Sequence, residues 1–109
     1  MSLPTNASQS RERARNYPLL VQENSVIDQA IATASDNGEL TVEIANSYMT
    51  EPGTIEAQSY YNAWKGLGAN ETLTDQMNEI IRSFQDRGYK ITRTTNNSTL
   101  NTFKWIIRW

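Results

Sequence analysis

The fold is decided by the run YKITRTTNNSTLNTFKWIIRW, residues 89–109. Two segments rich in β-branched and aromatic residues, 89–95 and 100–109, flank polar turn-forming residues, so we predict a β-hairpin joined at residues 96–99. In the second segment the large side chains fall on alternate positions, which predicts one buried and one exposed face. The predicted inner face carries Phe103, Trp105, Ile107 and Trp109, and the outer face carries Thr102, Lys104, Ile106 and Arg108.

Helical periodicity dominates the first third of the chain. A largely apolar stripe, which includes Asn24, recurs at steps of three or four residues from Leu20 to Ala34, and this spacing predicts a helix that ends before Gly38. We expect a separate short helix at Arg11–Asn16, because Pro18 lacks the amide proton that a continuing helix needs and so marks a break or a restart.

A strand and two further helices are predicted between that helix and the hairpin. Apolar and polar residues alternate across Leu40–Ile44, which is the pattern of a half-buried strand. Thr54 is expected to cap the second helix, and the third is expected to begin near Thr72–Thr74 and to be terminated by Gly88. The residues expected on the inner faces are Ile55, Ser59, Tyr60, Ala63 and Trp64 in the second helix and Met77, Ile80, Ile81 and Phe84 in the third.

The order α-β-α-α-β-β predicts a two-layer α+β fold. We expect a small sheet of about three strands, with the hairpin of residues 89–109 packed against two to three helices. The first strand is expected to run parallel to one hairpin strand, because the connection between them is long enough for a crossover. A length of 109 residues suits one domain, which we place at residues 10–109, after a polar and flexible arm at residues 1–9.

The composition narrows the possible chemistry. The chain has no His and no Cys, and its formal net charge is −2. The missing imidazole and thiol groups exclude disulfides, thiol nucleophiles, His-based acid–base catalysis and zinc sites built from His or thiolate. Ser and Thr then lack the base that usually activates them. We therefore expect no enzyme activity and no catalytic, cofactor-binding or metal-binding residues.

Two pairs of carboxylates have a spacing that suits hard cations. Glu39 and Glu43 lie four residues apart on the predicted strand, and Asp75 and Glu79 lie one helical turn apart. The chain has no dense acidic cluster of the calcium-loop type. We therefore interpret both pairs as solvated surface charge.

Aromatic side chains are concentrated in the second helix and the last strand. A domain of this size has little core in which to bury so many large rings, and exposed aromatic side chains favour protein interfaces. We therefore expect part of this set to contact a partner or a second copy, and the last strand to suit pairing with another strand. The candidate interface residues are Tyr60, Tyr61, Trp64, Trp105 and Trp109.

Basic residues form two further candidate surfaces. Arg11, Arg13 and Arg15 form a candidate arm for phosphate groups or for an acidic partner. Because Glu12 interrupts the run and the chain as a whole is acidic, a solvated helix face or a docking arm for an acidic partner is favoured over phosphate binding. Arg93 and Arg108, near the hairpin aromatics, suit single-stranded nucleic acid. Core packing with cation–π contacts is the favoured interpretation of these two residues.

A set of spaced motifs carries a family resemblance. The motifs are Tyr60-Tyr61-Asn62-Ala63-Trp64-Lys65-Gly66, Asp75-Gln76-Met77, Phe84, Gly88-Tyr89, Thr94-Thr95-Asn96, Asn101-Thr102-Phe103-Lys104-Trp105 and Trp109. With them, residues 8–109 resemble small proteins, many labelled hypothetical or structural, from contractile-tailed phages of marine cyanobacteria. The resemblance implies a phage protein with a virion-associated or assembly role, and it supplies no catalytic residues.

The sequence thus favours a non-enzymatic phage protein, virion-associated or assembly-related, that acts through protein–protein contacts and self-association. Its expected partner is a second copy or a phage structural protein rather than nucleic acid. The alternatives are a small nucleic-acid-binding accessory protein and a host-takeover factor that binds a bacterial protein. The sequence has no apolar run long enough to span a membrane, so we expect no membrane partner. It also shows no signal peptide, so we expect the protein in the virion or in the cytoplasm of the infected bacterium.

Overall fold

The computed structural model describes residues 7–67, 70–98 and 100–109, with the side chains of residues 7–13, 15 and 16 outside the described part. Its elements follow the order α-β-α-α-β-β, and the predicted α+β class is confirmed. Residues 1–6 of the expected arm lie outside the described residues, whereas residues 7–9 begin the first helix. The elements are α1 (Ala7–Asp36), β1 (Thr41–Ile44), α2 (Ile55–Lys65), α3 (Glu71–Gln85), β2 (Lys90–Thr95) and β3 (Phe103–Arg108).

Helix α1 is continuous through Pro18, so the predicted break at this residue was wrong. A proline inside a helix removes one hydrogen bond, here the bond to the carbonyl of Ala14, and its ring crowds that carbonyl. Both residues are exposed, so water can hydrogen-bond to the carbonyl that has lost its partner. The apolar stripe from Leu20 to Ala34 is buried as predicted at Leu20, Ile27, Ile31 and Ala34.

The sheet has the order β1-β3-β2, so the last strand is the central one. β3 is antiparallel to both neighbours, with Ile107 facing Val42 on one side and Ile91 on the other. β1 runs in the same direction as β2, because both are antiparallel to β3. The expectation that the first strand runs parallel to one hairpin strand is therefore confirmed, although β3 lies between the two. The expected pairing of the last strand with another chain was wrong, because both edges of β3 are occupied.

The helices cover one face of the sheet. On β3, the alternation is confirmed: Phe103, Trp105 and Ile107 are 0% exposed, whereas Arg108 on the opposite face is exposed. The outward placement of Thr102, just before the strand, was wrong, because this side chain is buried and its hydroxyl donates to the carbonyl of Thr50 at 2.9 Å. Helix α1 contacts β1, and α3 contacts β2. Helix α2 packs on α3, and its Trp64 lies 5.7 Å from the ring of Phe103. The opposite face of the sheet is therefore bare among the described residues.

Helix α3 starts slightly earlier than predicted, because its N-cap is Asn70 rather than a threonine. The Oδ1 atom of Asn70 accepts a hydrogen bond from the N–H of Leu73 at 3.1 Å, which satisfies an amide at the helix start. The helix ends at Gln85, and Gly88, with a φ of 95°, turns the chain into β2. Its inner face carries Met77, Ile80 and Phe84, which are fully buried, and Ile81, which is half-buried.

The cap of α3 gives a first testable prediction. We expect N70A to lower the free energy of unfolding by about 1 kcal/mol, because an amide at the helix start loses its acceptor. T74A should cost less, since the hydroxyl of Thr74 donates to the carbonyl of Asn70 and caps no amide. Urea unfolding followed by circular dichroism measures both variants. A larger loss for T74A than for N70A would instead support the threonine cap expected from the sequence.

Candidate functional site

The predicted aromatic interface lies largely inside the core. Trp105, Tyr60 and Tyr61 are 0%, 3% and 9% exposed. The aromatic row of α2 meets that of β3, since Trp64 packs edge-to-face on Phe103, and the Phe103 ring lies 5.1 Å from that of Trp105. The three buried rings fill the space between helix and sheet. They therefore offer no surface to a partner, which corrects their assignment as interface residues.

The other two candidate interface residues are half-buried and lie at opposite ends of the sheet. Trp64 is near the start of β3, with the guanidinium of Arg93 at 5.8 Å from its ring. Trp109 follows the end of β3, and its ring lies 6.0 Å from that of Tyr89. Part of each indole remains accessible. These two are the members of the predicted set that keep a surface for a partner.

The inner face of α2 differs from the predicted one. Ile55 is 80% exposed and Ser59 is also exposed, whereas Ala57 is fully buried and Tyr61 joins Tyr60 inside. Because α2 packs on α3 and also on the sheet, its buried surface is wider than a single stripe. This orientation of α2 leaves the large apolar side chain of Ile55 exposed to water.

The basic residues of the hairpin lie on opposite faces of the sheet. Arg93 faces Trp105 in the ladder and Arg108 faces Lys90, and side chains alternate along a strand. Arg93 points under the helices, where it donates a hydrogen bond to Met77 Sδ at 3.6 Å and where burial lowers its pKa. Arg108 is exposed on the bare face. The aromatic and basic strand surface considered for nucleic acid is therefore not assembled.

Arg11, Arg13 and Arg15 belong to the first turns of α1. Their side chains lie outside the described part of the structure. Their helical backbone places them at the end of α1 that precedes its buried stripe.

The two carboxylate pairs lie in different surroundings. Glu43 forms a salt bridge with Lys104, at 2.6 Å between Oε1 and Nζ, on the bare face of the sheet. Asp75 and Glu79 line a cleft of about 190 Å³ between α1 and α3, with Tyr17 on its other wall. Within the described residues, no group of three or more His, Cys, Asp or Glu side chains is placed to hold a metal ion.

Glu23 is a buried carboxylate that sequence reasoning missed. It is 0% exposed, and its Oε2 accepts hydrogen bonds from Ser47 Oγ at 2.6 Å and from Trp105 Nε1 at 2.8 Å. One carboxylate thus joins α1, the connection after β1, and β3. A signal was present in the sequence: Glu23 lies three residues after Leu20 and four before Ile27, on the apolar stripe itself.

Burial raises the pKa of Glu23 above its ordinary value of 4.5, because loss of water penalises the charged form. Hydrogen bonds from Ser47, Trp105 and the main chain of Met49 partly offset this effect, since they favour the carboxylate. Glu23 Oε1 and Asn24 Oδ1 are also shielded from solvent, and neither has a hydrogen-bond partner among the described residues. Glu23 is fully enclosed, so it links elements of the core and meets no substrate.

Strand β1 forms one open edge of the sheet. The N–H of Trp109 donates to the carbonyl of Leu40 at 3.0 Å, and because the ladder alternates, Val42 also directs its main-chain groups toward β3. The N–H and C=O groups of Thr41 and Glu43 then point away from β3, to the side where no described strand lies. The outer edge of β1 therefore carries donors and acceptors for another strand.

A shallow groove of about 380 Å³ lies beside this edge, between α1 and β1. Leu40, which is 67% exposed, stands at the start of β1 and points to the same side of the sheet as Val42. The groove is lined by Val26, Ala30, Thr33 and Asn37 of α1 and by Glu39 and Val42. Most of these side chains are short, so the groove is open to an approaching chain.

No protein-family model, no curated protein and no solved structure matches this chain. Among the helices that the structure describes, none combines the length and the apolar character needed to cross a membrane. Function is therefore inferred from the geometry of the chain and from its motifs.

Proposed function

We propose that this chain is a non-enzymatic protein that acts by binding other proteins, including further copies of itself. The observation that carries the proposal is its exposed apolar surface. Burying apolar surface against a partner is favourable by about 25 cal/mol per Å². Among the described residues, the large apolar side chains that are at least 50% exposed are Tyr17, Val21, Leu40, Ile55, Leu67 and Leu100.

Helix α1 contributes to the exposed apolar surface. Its 30 residues span about 45 Å. Among the side chains of α1 that the structure describes, the buried ones run from Leu20 to Ala34, whereas Tyr17 and Val21 are exposed. These two side chains are therefore available to a partner.

The setting that we propose is a contractile-tailed phage, with the protein in the virion or active in assembly inside the infected bacterium. Its support is the motif resemblance. Tyr60, Phe84, Phe103 and Trp105 of those motifs are core residues here, which is what a shared fold requires. Mass spectrometry of purified particles tests the virion-associated form, and capture of a bacterial enzyme instead would favour the host-takeover alternative.

Nucleic-acid binding is the less favoured alternative. Arg93 and Arg108 lie on opposite faces of the sheet, and the formal net charge is −2. Binding through phosphate contacts weakens steeply with salt, whereas association through apolar surface does not. Salt dependence therefore separates the two functions.

We expect the purified protein to associate as its concentration rises from about 1 to 100 µM, by mass action. Sedimentation velocity should then show species heavier than 12.4 kDa, because apolar side chains become buried between copies. Raising the salt to about 0.5 M serves as the control, and it should leave association intact, since only surface charge pairs are screened. A strict monomer over the whole range that is also absent from purified particles would contradict the proposal.

A further inference from the structure

We infer that the open edge of β1 is the self-association surface, and that a second copy of this chain adds its own β1 there in the antiparallel direction. The inference rests on the proposed function and names the surface that performs it. Two sheets of three strands each then become one continuous sheet across a two-fold axis.

The main chain of β1 supplies the hydrogen bonds for this pairing. Thr41 and Glu43 direct their N–H and C=O groups outward, and the second copy presents the same groups in return. An antiparallel pair that exchanges these bonds closes on itself, because the same edge is used by both copies. The result is a dimer rather than an open fibre.

The sequence of β1 favours one register. With the two-fold axis at Val42, Thr41 of one copy faces Glu43 of the other, and both pairs exchange their main-chain bonds. An axis at Glu43 would place two carboxylates directly opposite, and an axis at Thr41 would place Glu39 opposite Glu43. Like charges in directly opposed positions are destabilising, so the axis at Val42 is the favourable choice.

The same register covers apolar surface on the helix side of the sheet. Val42 faces its own copy across the axis, and Leu40, which is 67% exposed in the single chain, faces Ile44 of the second copy. The groove between α1 and β1 accepts these side chains. Ala30 and Thr33 in its wall are small, so the wall does not obstruct the incoming strand.

The opposite edge of the sheet is less suited to a second copy. The N–H of Asn96 donates to the carbonyl of Thr102, so Asn96 and every second residue before it direct their main-chain groups toward β3. The main-chain groups of Ile91, Arg93 and Thr95 therefore point away from β3. β2 carries two cationic side chains, and charged side chains on an edge oppose strand pairing. β1 carries one charged side chain, that of Glu43, and its carboxylate already forms a salt bridge on the bare face.

Proline substitutions test the edge directly. E43P removes an outward N–H and spares the ladder to β3, and T95P does the same on β2. We expect E43P to raise the dimer Kd by at least about tenfold, and T95P to leave it unchanged, by sedimentation. Circular dichroism and urea unfolding establish that both variants are folded.

A cysteine at the proposed axis tests the register. The chain has no Cys of its own, so V42C supplies one thiol per copy. Paired residues without mutual hydrogen bonds have Cα atoms about 4.5 Å apart, within disulfide range. We expect V42C to form a covalent dimer under mild oxidation, and T92C, exposed on β2, to remain monomeric at the same concentration.

The outcomes separate this inference from the proposed function. Association that survives E43P, without a V42C cross-link, overturns the β1 edge and leaves self-association standing through another surface. A wild-type chain that stays monomeric at every concentration, with no cross-link from V42C, overturns the β1 dimer, and it overturns the proposed function as well if the protein is also absent from purified particles. Loss of association in E43P together with rapid cross-linking of V42C supports the β1 dimer.

Discussion

W105A is expected to lower the free energy of unfolding by about 3–5 kcal/mol, out of about 5–15 kcal/mol for a whole domain. Trp105 is fully buried at the centre of β3, and its ring packs on Phe103 with 5.1 Å between centroids. Its Nε1 also donates to Glu23 at 2.8 Å. Alanine therefore leaves a cavity in the core and removes a buried hydrogen bond.

Two matched variants separate these effects. W105F keeps most of the ring and loses the donor to Glu23, for which we expect a cost of about 1–3 kcal/mol. W109A removes a half-buried indole whose described ring contact is Tyr89, and it should cost about 1 kcal/mol. Urea unfolding followed by far-ultraviolet circular dichroism measures all three variants, because it does not depend on indole fluorescence. A cost for W105A no greater than that for W109A would contradict the core position of Trp105.

E23A has the second largest expected effect, a loss of about 2–4 kcal/mol. The substitution leaves Trp105 Nε1 buried without its acceptor and opens space between α1 and β3. We expect this loss near pH 4.5, the ordinary pKa of the group, because burial raises the pKa of Glu23 and so favours the protonated form in the fold. E23Q is the matched control, since its amide oxygen can still accept from Ser47 and Trp105. Equal losses for the two variants would contradict the role of the acceptor.

The same residue makes stability depend on pH in an unusual direction. The pKa of Glu23 is raised by burial in the folded state, so the fold holds a proton that the unfolded chain has released. The wild type should therefore lose stability as the pH rises from about 4.5 toward the raised pKa, and the loss should then level off. E23Q has no titrating group at this position. The free energy of unfolding of E23Q minus that of the wild type should therefore grow as the pH rises from about 4.5 toward the raised pKa. A constant or shrinking difference would contradict the burial of the Glu23 carboxyl group.

Local signals were sufficient for the secondary structure of the hairpin and of α3. The alternation of β3 places Phe103, Trp105 and Ile107 inward, as the period of two requires. Met77, Ile80 and Phe84 follow the helical period and are buried. Such patterns depend only on neighbours along the chain.

The candidate site was less predictable, because exposure of an aromatic side chain depends on what packs over it. Tyr60 and Tyr61 project about 100° apart on α2, yet both are buried, since that helix packs on α3 and also on the sheet. Glu23 was missed because the surrounding apolar pattern gives no indication of a polar partner. Ser47 and Trp105 lie far from it along the chain and meet it only in the fold.

By itself the sequence determined the element order, the inner face of β3, the α+β class, and the absence of imidazole and thiol chemistry. Each of these follows from the composition or from contacts among near neighbours. Only the tertiary structure decided that β3 is central, that β1 is an edge, and that a carboxylate lies in the core. These features depend on pairings between segments far apart in the chain, whose free energy is set by mutual packing and by hydrogen bonds that no single segment contains.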